Sequence, residues 1–405
     1  MQKILGLLLI LCFLVCCKAE KAGTLRVDIM LSGVLDSCRA EIAAKSYWDK
    51  WDGPSSSYDA ERVMGNFIYS LYRCDGDSLT LVYKDGFSSL YYEWATMEYE
   101  GKNLNDVFEH SLVMPYVSGN VRLVVELRRG NNLTVVLDEL FDTRDVRELK
   151  DNVVVVRCLN EPKQVGKPTL DVAVVAEGYT AEEEKLFWSD ASKLSEGLLK
   201  EPAYAKYSDC INVRGLFMPS TMSGPSDPQK GYVSQTPLNS SFGTFGSDRY
   251  LQTLKTFALY DYVGTTPADV IVVLVNSDKY GGGGVYNCFA IGSTSADSWI
   301  EVLLHEIGHS FAGLADEYYY PDEVQPDMYP LDAEPWELNI TTMVDFASKW
   351  KALYDKGATG LIEGAAYQAK GVYRSEPNCK MRELYVPFCT VCNDATEKRI
   401  KHYIE

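Results

Sequence analysis

The sequence predicts a multidomain protein in which an N-terminal all-β sandwich is followed by an α/β domain. The chain has 405 residues, more than one ordinary hydrophobic core accommodates. Its first part reads as short strands separated by turn signals, whereas the remainder alternates apolar strands with helices. A composition of 46% hydrophobic and 24% charged residues is that of a folded globular protein.

The first residues have the pattern of a signal peptide. A short cationic start precedes Ile4–Val15, an apolar run too short to span a membrane as a helix. We assign residues 1–17 to this signal and expect the protein to be exported, either secreted or held in a bacterial cell envelope as a lipoprotein. Cys17 is the expected lipidated residue because it ends a segment that resembles a lipoprotein signal; an ordinary signal peptidase site at Ala19 is the alternative.

Residues 22–158 are predicted to form the β-sandwich. Turn signals such as Asp75-Gly76 separate runs that alternate apolar and polar residues or are rich in β-formers. The polar segment 159–167 contains proline and glycine and is predicted to link the two domains. The strands expected from these runs are Leu25–Leu31, Ser78–Tyr83, Leu90–Trp94, Val121–Leu127 and Leu133–Leu137.

Residues 168–405 are predicted to form the α/β domain. A helix is expected from Ala181 to about Leu199, where Thr180 and Glu183 supply a capping box. The strands expected in this domain are Leu170–Ala176, Ile211–Phe217 and Asp269–Val275. The last of them is apolar enough to be buried on both faces, which is typical of a central strand between two layers.

The glycine run Gly281–Gly284 is not interpreted as a phosphate-binding loop. It lacks the lysine and hydroxyl residue that end such a loop, and it precedes a predicted strand, Val285–Ile291, instead of a helix. We interpret the run as a flexible loop that leads into an edge strand.

The net charge of -18 argues against nucleic acid as a partner, because two polyanions repel each other. The same repulsion disfavours an anionic membrane surface. No later stretch is long and apolar enough to span a bilayer, so membrane attachment is expected only through a lipid anchor. The charge places no restriction on a polypeptide substrate.

A helix predicted over Ser298–Ala312 carries the clearest functional motif. Apolar residues at positions 300, 303, 304, 307 and 311 give this helix one buried stripe. His305 and His309 lie off the stripe, four residues apart and about 6 Å from each other, so that both imidazoles reach one metal ion. Glu306 is placed to polarise a metal-bound water. The motif predicts a zinc-dependent peptidase.

A catalytic zinc usually takes three protein ligands, so a third is required. The spare histidines, His110 and His402, fall in the sandwich and at the C-terminus, which favours a carboxylate. Asp316 is predicted as that ligand. A continuing helix would carry Asp316 about 10 Å beyond the second histidine, so the chain must turn back, and Gly313 is suited to end the helix in a left-handed conformation.

Other acidic residues remain candidates for the third ligand. Glu317 is the closest competitor, and Glu334 and Glu337 are more distant ones. The acidic stretch that contains them is also compatible with calcium, although its spacing lacks the pattern of an EF-hand. We expect one catalytic zinc ion, with calcium only weakly indicated.

The chain resembles the M64 peptidases, a family named for bacterial IgA peptidase. The resemblance runs over the whole mature chain, from the N-terminal sandwich to the C-terminal part. The segments that carry it are Asp171–Tyr179, Leu274–Gly281, His305–Tyr318, Gly371–Arg374 and Asn378–Met381.

The resemblance implies a fold similar to that of the metzincins, in which a methionine turn lies beneath the metal. It implies His305, His309 and Asp316 as zinc ligands, Glu306 as general base and Met381 as the methionine of the turn. The sequence departs from the usual metzincin spacing, because three residues instead of two separate the second histidine from the glycine that ends the helix.

Tyrosines close to Met381 are candidates for stabilising the tetrahedral intermediate with a phenolic hydroxyl. Tyr385 is the first candidate and Tyr373 the second, and both are equally interpretable as packing aromatics.

Eight cysteines follow Cys17, an even number that permits disulfides in an exported protein. Cys389-x-x-Cys392, with Cys379 nearby, is compatible with a second, structural zinc site or with redox chemistry. Because a lone CxxC is weak evidence in an exported chain, we expect a structural disulfide or buried thiols instead.

The function predicted from these residues is an exported zinc metalloendopeptidase that hydrolyses peptide bonds of protein substrates. The rival hypothesis is an exported surface protein that keeps this fold to bind a glycan or polypeptide without turnover. The presence of Glu306 argues against the rival, since binding alone needs no general base. The sequence specifies neither the natural substrate nor the oligomeric state.

Overall fold

The computed structural model describes residues 23–54, 63–150, 153–164, 166–294, 297–319 and 329–405. The predicted signal peptide, its lipidation residue Cys17 and the alternative cleavage site lie outside these ranges. Within them, no helix combines the length and the apolar character needed to cross a bilayer.

The N-terminal part forms two four-stranded sheets whose apolar faces pack against each other. The sheet orders are β5-β1-β2-β8 and β4-β3-β6-β7. Strand β6 shows the alternation that the sequence predicts, with every second side chain buried. The elements are β1 (Thr24–Ser32), β2 (Arg39–Trp48), β3 (Phe67–Asp75), β4 (Ser78–Phe87), α1 (Leu90–Thr96), β5 (Phe108–Pro115), β6 (Asn120–Arg129), β7 (Asn132–Asp142) and β8 (Arg147–Glu148). This arrangement confirms a β-sandwich.

One of the predicted sandwich strands, Leu90–Trp94, is wrong: the segment is helix α1. Its aromatic residues favour a strand by propensity, but four of its seven side chains are buried, and tertiary packing decides the conformation. The Thr96 hydroxyl donates to the Tyr92 carbonyl oxygen, as is common inside helices. The helix therefore packs on the core of the sandwich instead of extending a sheet.

The C-terminal part contains a six-stranded mixed sheet in the order β13-β14-β12-β10-β11-β9, with helices packed on it. Its central four strands are parallel, and the two edge strands are antiparallel. A small sheet, β15-β17-β16, follows. The elements are β9 (Val155–Asn160), β10 (Leu170–Glu177), α2 (Glu184–Leu198), α3 (Pro202–Ala205), β11 (Ile211–Phe217), α4 (Thr256–Val263), β12 (Val270–Val275), β13 (Gly282–Val285), β14 (Phe289–Ser293), α5 (Trp299–Ser310), β15 (Ile340–Thr341), α6 (Lys351–Asp355), β16 (Ile362–Ala365), β17 (Gln368–Arg374) and α7 (Thr390–Ile404).

The structure places β9 in the second sheet, where it pairs antiparallel with β11. Its first residues, Val155 to Cys158, precede the predicted end of the sandwich, and Leu159 and Asn160 belong to the predicted linker. The second sheet thus begins before the predicted boundary, because β9 is an edge strand whose side chains are exposed or half-buried and whose place is set by its pairing with β11.

Strand β10 shows why the central strands are apolar without alternation. Val172 and Val174 pack against the helices, while Ala173 and Val175 belong to the core that is continuous with the sandwich. The sheet is therefore buried on both faces. The predicted capping box is present, since the Thr180 amide donates to the Glu183 carboxylate at 2.8 Å, but it caps a 3-10 turn over Ala181–Glu183, and α2 begins only at Glu184.

The interpretation of the glycine run as a flexible loop is wrong. Three of its residues form the edge strand β13, and the strand predicted at Val285–Ile291 begins only at Phe289. Strand β13 crosses helix α5 at close range: a Cβ built on Gly284 would lie 2.3 Å from the Glu306 carbonyl oxygen and 2.8 Å from the His309 Cβ. The glycine thus permits contact between two backbones.

A buried arginine joins the sandwich to the α/β domain. Arg26 of β1 donates to both oxygens of Asp28, at 2.7 and 2.9 Å, and to Asp261 of α4 at 2.7 Å. It also donates to the Phe257 carbonyl oxygen at 3.1 Å. The guanidinium is 2% exposed, so its charge is paired on all sides within the protein.

We expect Gly284→Ala to lower the free energy of unfolding by about 1–3 kcal/mol, because the added methyl forces β13 away from α5. Urea denaturation of purified protein measures the change. Gly283→Ala is the matched control, since the atoms nearest to its methyl belong to the side chains of Gln252 and Tyr250 on the opposite face of the strand and not to a backbone. An equal or larger loss in the control contradicts the close-approach argument.

Arg26→Met is expected to lower the free energy of unfolding by about 3–5 kcal/mol, because it leaves the buried Asp28 carboxylate without its cation. Asp261→Asn serves as control: the Asp261 carboxylate is 53% exposed, and its loss should cost no more than about 1 kcal/mol. If the arginine variant unfolds at the same urea concentration as the parent, the ion pair does not hold the two parts together.

Candidate metal centre

Helix α5 brings the two motif histidines to one point. The Nε2 atoms of His305 and His309 are 3.0 Å apart. The Nδ1 atom of His305 lies 2.9 Å from the Lys380 carbonyl oxygen, and that of His309 lies 2.6 Å from the Leu314 carbonyl oxygen. Because a carbonyl oxygen only accepts, each Nδ1 carries the proton and donates it. Each Nε2 therefore presents a lone pair suited to a metal ion.

The chain turns back at the end of α5 as predicted. Gly313 has a φ of +62°, and its amide donates to the His309 carbonyl oxygen at 3.2 Å. The Leu314 amide donates to the Gly308 carbonyl oxygen at 3.1 Å. A left-handed glycine with these two bonds is a common way to end a helix. The turn accommodates the three residues that separate His309 from Gly313.

This turn brings Asp316 to the histidines. Its Oδ1 atom lies 3.1 Å from His305 Nε2 and 3.3 Å from His309 Nε2. The other oxygen, Oδ2, accepts a hydrogen bond from the Tyr367 hydroxyl. Oδ1 is buried and has no hydrogen-bond partner among the residues that the structure describes. The structure therefore places Asp316 where the sequence predicts the third ligand.

The three donor atoms form a triangle with sides of 3.0 to 3.3 Å. Ligands at 2.0–2.1 Å from a tetrahedral zinc are separated by roughly 3.3 Å. The protonated Nδ1 atoms, the free Nε2 lone pairs and the unpartnered Oδ1 all fit the same ion. The donor set thus fits zinc with a fourth position open toward a cleft.

The donors strongly perturb one another. Burial raises the pKa of Asp316, but the neighbouring His309 and His305 more than offset this and hold it below its usual range. Burial lowers the pKa of His309, yet the Asp316 carboxylate raises it to about 9. The buried Asp316 carboxylate thus favours a positive charge at the two imidazoles, either a proton or a metal ion.

Glu306 lies beside these donors without bonding them. One of its carboxylate oxygens is within 4.8 Å of the imidazole nitrogens, and its side chain lines the cleft. Burial raises its pKa, and the two histidines oppose that shift. Glu306 is therefore a carboxylate with raised proton affinity at the edge of the metal centre, as a general base requires.

The competing acidic residues bond to other groups, although Glu337 also lines the cleft. The Glu317 carboxylate points to Cys379, Cys389 and Cys392. Glu334 accepts from the Asp345 amide at 2.8 Å, and Glu337 accepts from the Tyr329 hydroxyl at 3.2 Å. The described carboxylates of this stretch do not converge on one point, which leaves calcium without an evident site among them; residues 320–328 lie outside the description.

Met381 lies beneath the centre. It is fully buried, and its sulfur packs against Gly308 of α5, 2.8 Å from where a Cβ would stand. Its carbonyl oxygen accepts from the Glu317 amide at 2.8 Å. The preceding residue, Lys380, orients His305 through its own carbonyl oxygen. The segment therefore supports the metal centre from below.

The tyrosines singled out in the sequence are not among the residues that line the cleft. Tyr385 is 76% exposed, and Tyr373 lies in β17, which pairs with both β15 and β16. Tyr367, which sequence reasoning missed, orients Asp316 instead. It follows Ala366 in a hairpin turn where both have positive φ, 51° and 62°. No spacing signal connects this turn with Asp316.

The cleft beside the centre has a volume of about 560 Å³, within the range of ligand-binding clefts. Tyr92 and Glu93 of α1 contribute one side, so the sandwich helps to form the cleft. The Tyr250 hydroxyl of the α/β domain donates to the Glu93 carboxylate, whose pKa burial raises to about 7. Both domains thus contact whatever enters.

Comparison with known families matches residues 162–359 to the family described as IgA peptidase M64. Residues 17–137 match the family described as peptidase M64 N-terminus. The first match contains the three donors and Glu306, whereas Met381 lies beyond it. No curated protein matches the chain. The two matches belong to one peptidase family and cover most of the sequence, and by them the chain belongs to the M64 peptidases.

Proposed function

We propose that this M64 peptidase is an exported zinc-dependent metalloendopeptidase. The observation that carries the proposal is the convergence of His305, His309 and Asp316 on one point at the edge of an open cleft, with Glu306 beside them. Three protein donors with a free fourth position are typical of catalytic zinc, whereas structural zinc is enclosed by four.

Zinc bound to these donors would lower the pKa of a water ligand to about 7 and polarise a peptide carbonyl. The chain's own groups do the remaining work. Glu306 accepts the proton of the attacking water and passes it to the leaving amine, which its raised pKa favours. The Lys380 and Leu314 carbonyl oxygens accept from the histidine Nδ1 atoms and so hold both rings in the tautomer with a free Nε2 lone pair. The Tyr367 hydroxyl donates to the Asp316 carboxylate and fixes its orientation.

We further propose a metzincin-like arrangement of this site. Its support is a left-handed glycine that ends the motif helix, a third ligand supplied by the returning chain, and Met381 packed beneath the helix. The longer spacing before Gly313 is absorbed by the last turn of the helix.

The proposed substrate is a polypeptide, since the family is one of peptidases and the cleft is open enough for a chain to enter. Export is supported by the signal-peptide pattern of residues 1–17, and a lipid on Cys17 would hold the enzyme at a bacterial cell envelope. The M64 N-terminus match begins at residue 17, at that cysteine.

Glu306→Gln is expected to retain zinc while kcat falls by about 10²–10⁴-fold, because the amide cannot accept a proton. Zinc content by elemental mass spectrometry and cleavage of a proteome-derived peptide library report the two quantities. A variant that keeps its zinc and cuts at the wild-type rate refutes Glu306 as the base. A wild-type protein that holds zinc but cuts nothing in the library supports the binding-protein hypothesis instead.

Tyr367→Phe is expected to weaken zinc binding at the histidine site by roughly 10–100-fold, because it removes the hydrogen-bond partner of a ligand. Asp316→Asn is expected to weaken it more, because this change removes the charge of the ligand itself. Zinc retention against graded chelator measures both. Glu334→Gln is the control, since Glu334 bonds the Asp345 amide away from the site, and its zinc retention should equal that of the parent. If Glu334→Gln lost more zinc than Asp316→Asn, Glu334 and not Asp316 would be the third ligand.

A further inference from the structure

A second cluster of metal-binding side chains lies on the far side of the Asp316 segment. Cys379, Cys389, Cys392 and Glu317 bring one ligand atom each to within 4.8 Å of the others. All four residues are at most 3% exposed. The cluster takes no part in the hydrolytic mechanism.

We propose that these four side chains bind a second, structural zinc ion. The Cys379 and Cys392 sulfurs are 3.6 Å apart, and the Glu317 Oε1 atom lies 3.3 Å from the Cys392 sulfur and 3.9 Å from the Cys389 sulfur. Zinc–sulfur bonds of 2.3 Å and zinc–oxygen bonds of 2.0 Å in a tetrahedron require about 3.8 Å between sulfurs and about 3.5 Å between sulfur and oxygen. The observed separations are close to these values.

The surroundings of the cluster are those of metal-bound thiolates. The Cys389 amide donates to the Cys379 sulfur at 3.3 Å, and the Cys392 amide donates to the Cys389 sulfur at 3.4 Å. Cys389 is the N-cap of helix α7, where the helix dipole favours a thiolate. Asn339 donates to Glu317 Oε1 at 3.0 Å and fixes the carboxylate. The ligands are thus oriented by their own partners.

One atom of the cluster lacks a partner. Glu317 Oε2 is buried and accepts no hydrogen bond within the described part of the chain. Burying a carboxylate with an unsatisfied oxygen costs several kcal/mol, and thiols are weak donors that do little to offset this. A divalent cation bound by the three cysteines and Glu317 would balance the charge of this buried carboxylate.

The donor set identifies both the ion and its role. Three thiolates favour a soft or borderline metal over calcium or magnesium, and four protein ligands in a tetrahedron favour zinc. With every ligand buried, no position is open to water or substrate. The ion therefore stabilises structure and performs no catalysis.

The second site is coupled to the first through adjacent residues. Glu317 directly follows Asp316, and its amide donates to the Met381 carbonyl oxygen at 2.8 Å. Cys379 lies two residues before Met381, in the stretch between β17 and α7 that contains no helix or strand. A zinc ion here joins the Asp316 segment, the methionine segment and the start of α7, and so positions the third catalytic ligand.

The first test removes the catalytic site alone. His305→Ala/His309→Ala protein, purified with zinc available, should retain one zinc per chain, against two in the parent, by elemental mass spectrometry. Replacing that zinc with Co²⁺ should give the near-ultraviolet band of thiolate-to-cobalt charge transfer. Retention of the cysteine-bound ion supports the second site whatever the activity of the parent, so this outcome does not depend on the proposed peptidase function.

The second test removes the cysteine site. Cys392→Ser should lose the ion that the double-histidine variant keeps, whereas Cys288→Ser, which alters a buried cysteine outside the cluster, should bind as much zinc as the parent. Should Cys392→Ser fail to fold, thiol labelling of the native parent replaces it: Cys379, Cys389 and Cys392 should resist alkylation until a chelator removes the metal.

Two results overturn the proposal. One is a double-histidine variant without stoichiometric zinc although it remains folded. The other is a disulfide between any two of Cys379, Cys389 and Cys392 in the non-reduced parent, found by peptide mass spectrometry, because a disulfide sulfur cannot act as a thiolate ligand. Iron in place of zinc in the purified parent would refute the identity of the ion.

Discussion

The site depends on one constraint: two consecutive carboxylates, Asp316 and Glu317, must face opposite ways. The segment that carries them is held on both sides by backbone hydrogen bonds, from the Ala366 amide to the Asp316 carbonyl oxygen and from the Glu317 amide to the Met381 carbonyl oxygen. Asp316 thereby turns to the histidines and Glu317 to the cysteines. A shift by one residue would exchange the two carboxylates, and this explains why the sequence alone left Glu317 as a competitor.

The local signals in the sequence were sufficient for the helix that carries the histidines and for its end. The apolar stripe, the His-Glu-x-x-His spacing and the left-handed preference of Gly313 are all local, and the structure follows them. Tyr367 could not be found in this way, because it meets Asp316 from 51 residues away through a turn without a distinctive pattern. Nor could the spacing of the cysteines show that Glu317 joins them.

The elements that sequence reasoning misassigned are those whose conformation is set by packing. Helix α1 was mistaken for a strand because its aromatic residues favour strands, yet these side chains are buried in the core of the sandwich. The glycine run was mistaken for a loop because the sequence does not show that α5 packs directly on this segment. At that distance only glycine leaves room for the two backbones. Both errors concern elements that line the cleft.

Helix α1 gives the sandwich a part in the cleft beside the candidate metal centre, since Tyr92 and Glu93 line it. An α/β domain separated from its sandwich would keep His305, His309 and Asp316 but lose the part of the cleft that the sandwich lines. Selectivity among polypeptides is thus a joint property of two domains, and divergence in the sandwich alone can redirect the enzyme to new substrates while the chemistry stays unchanged.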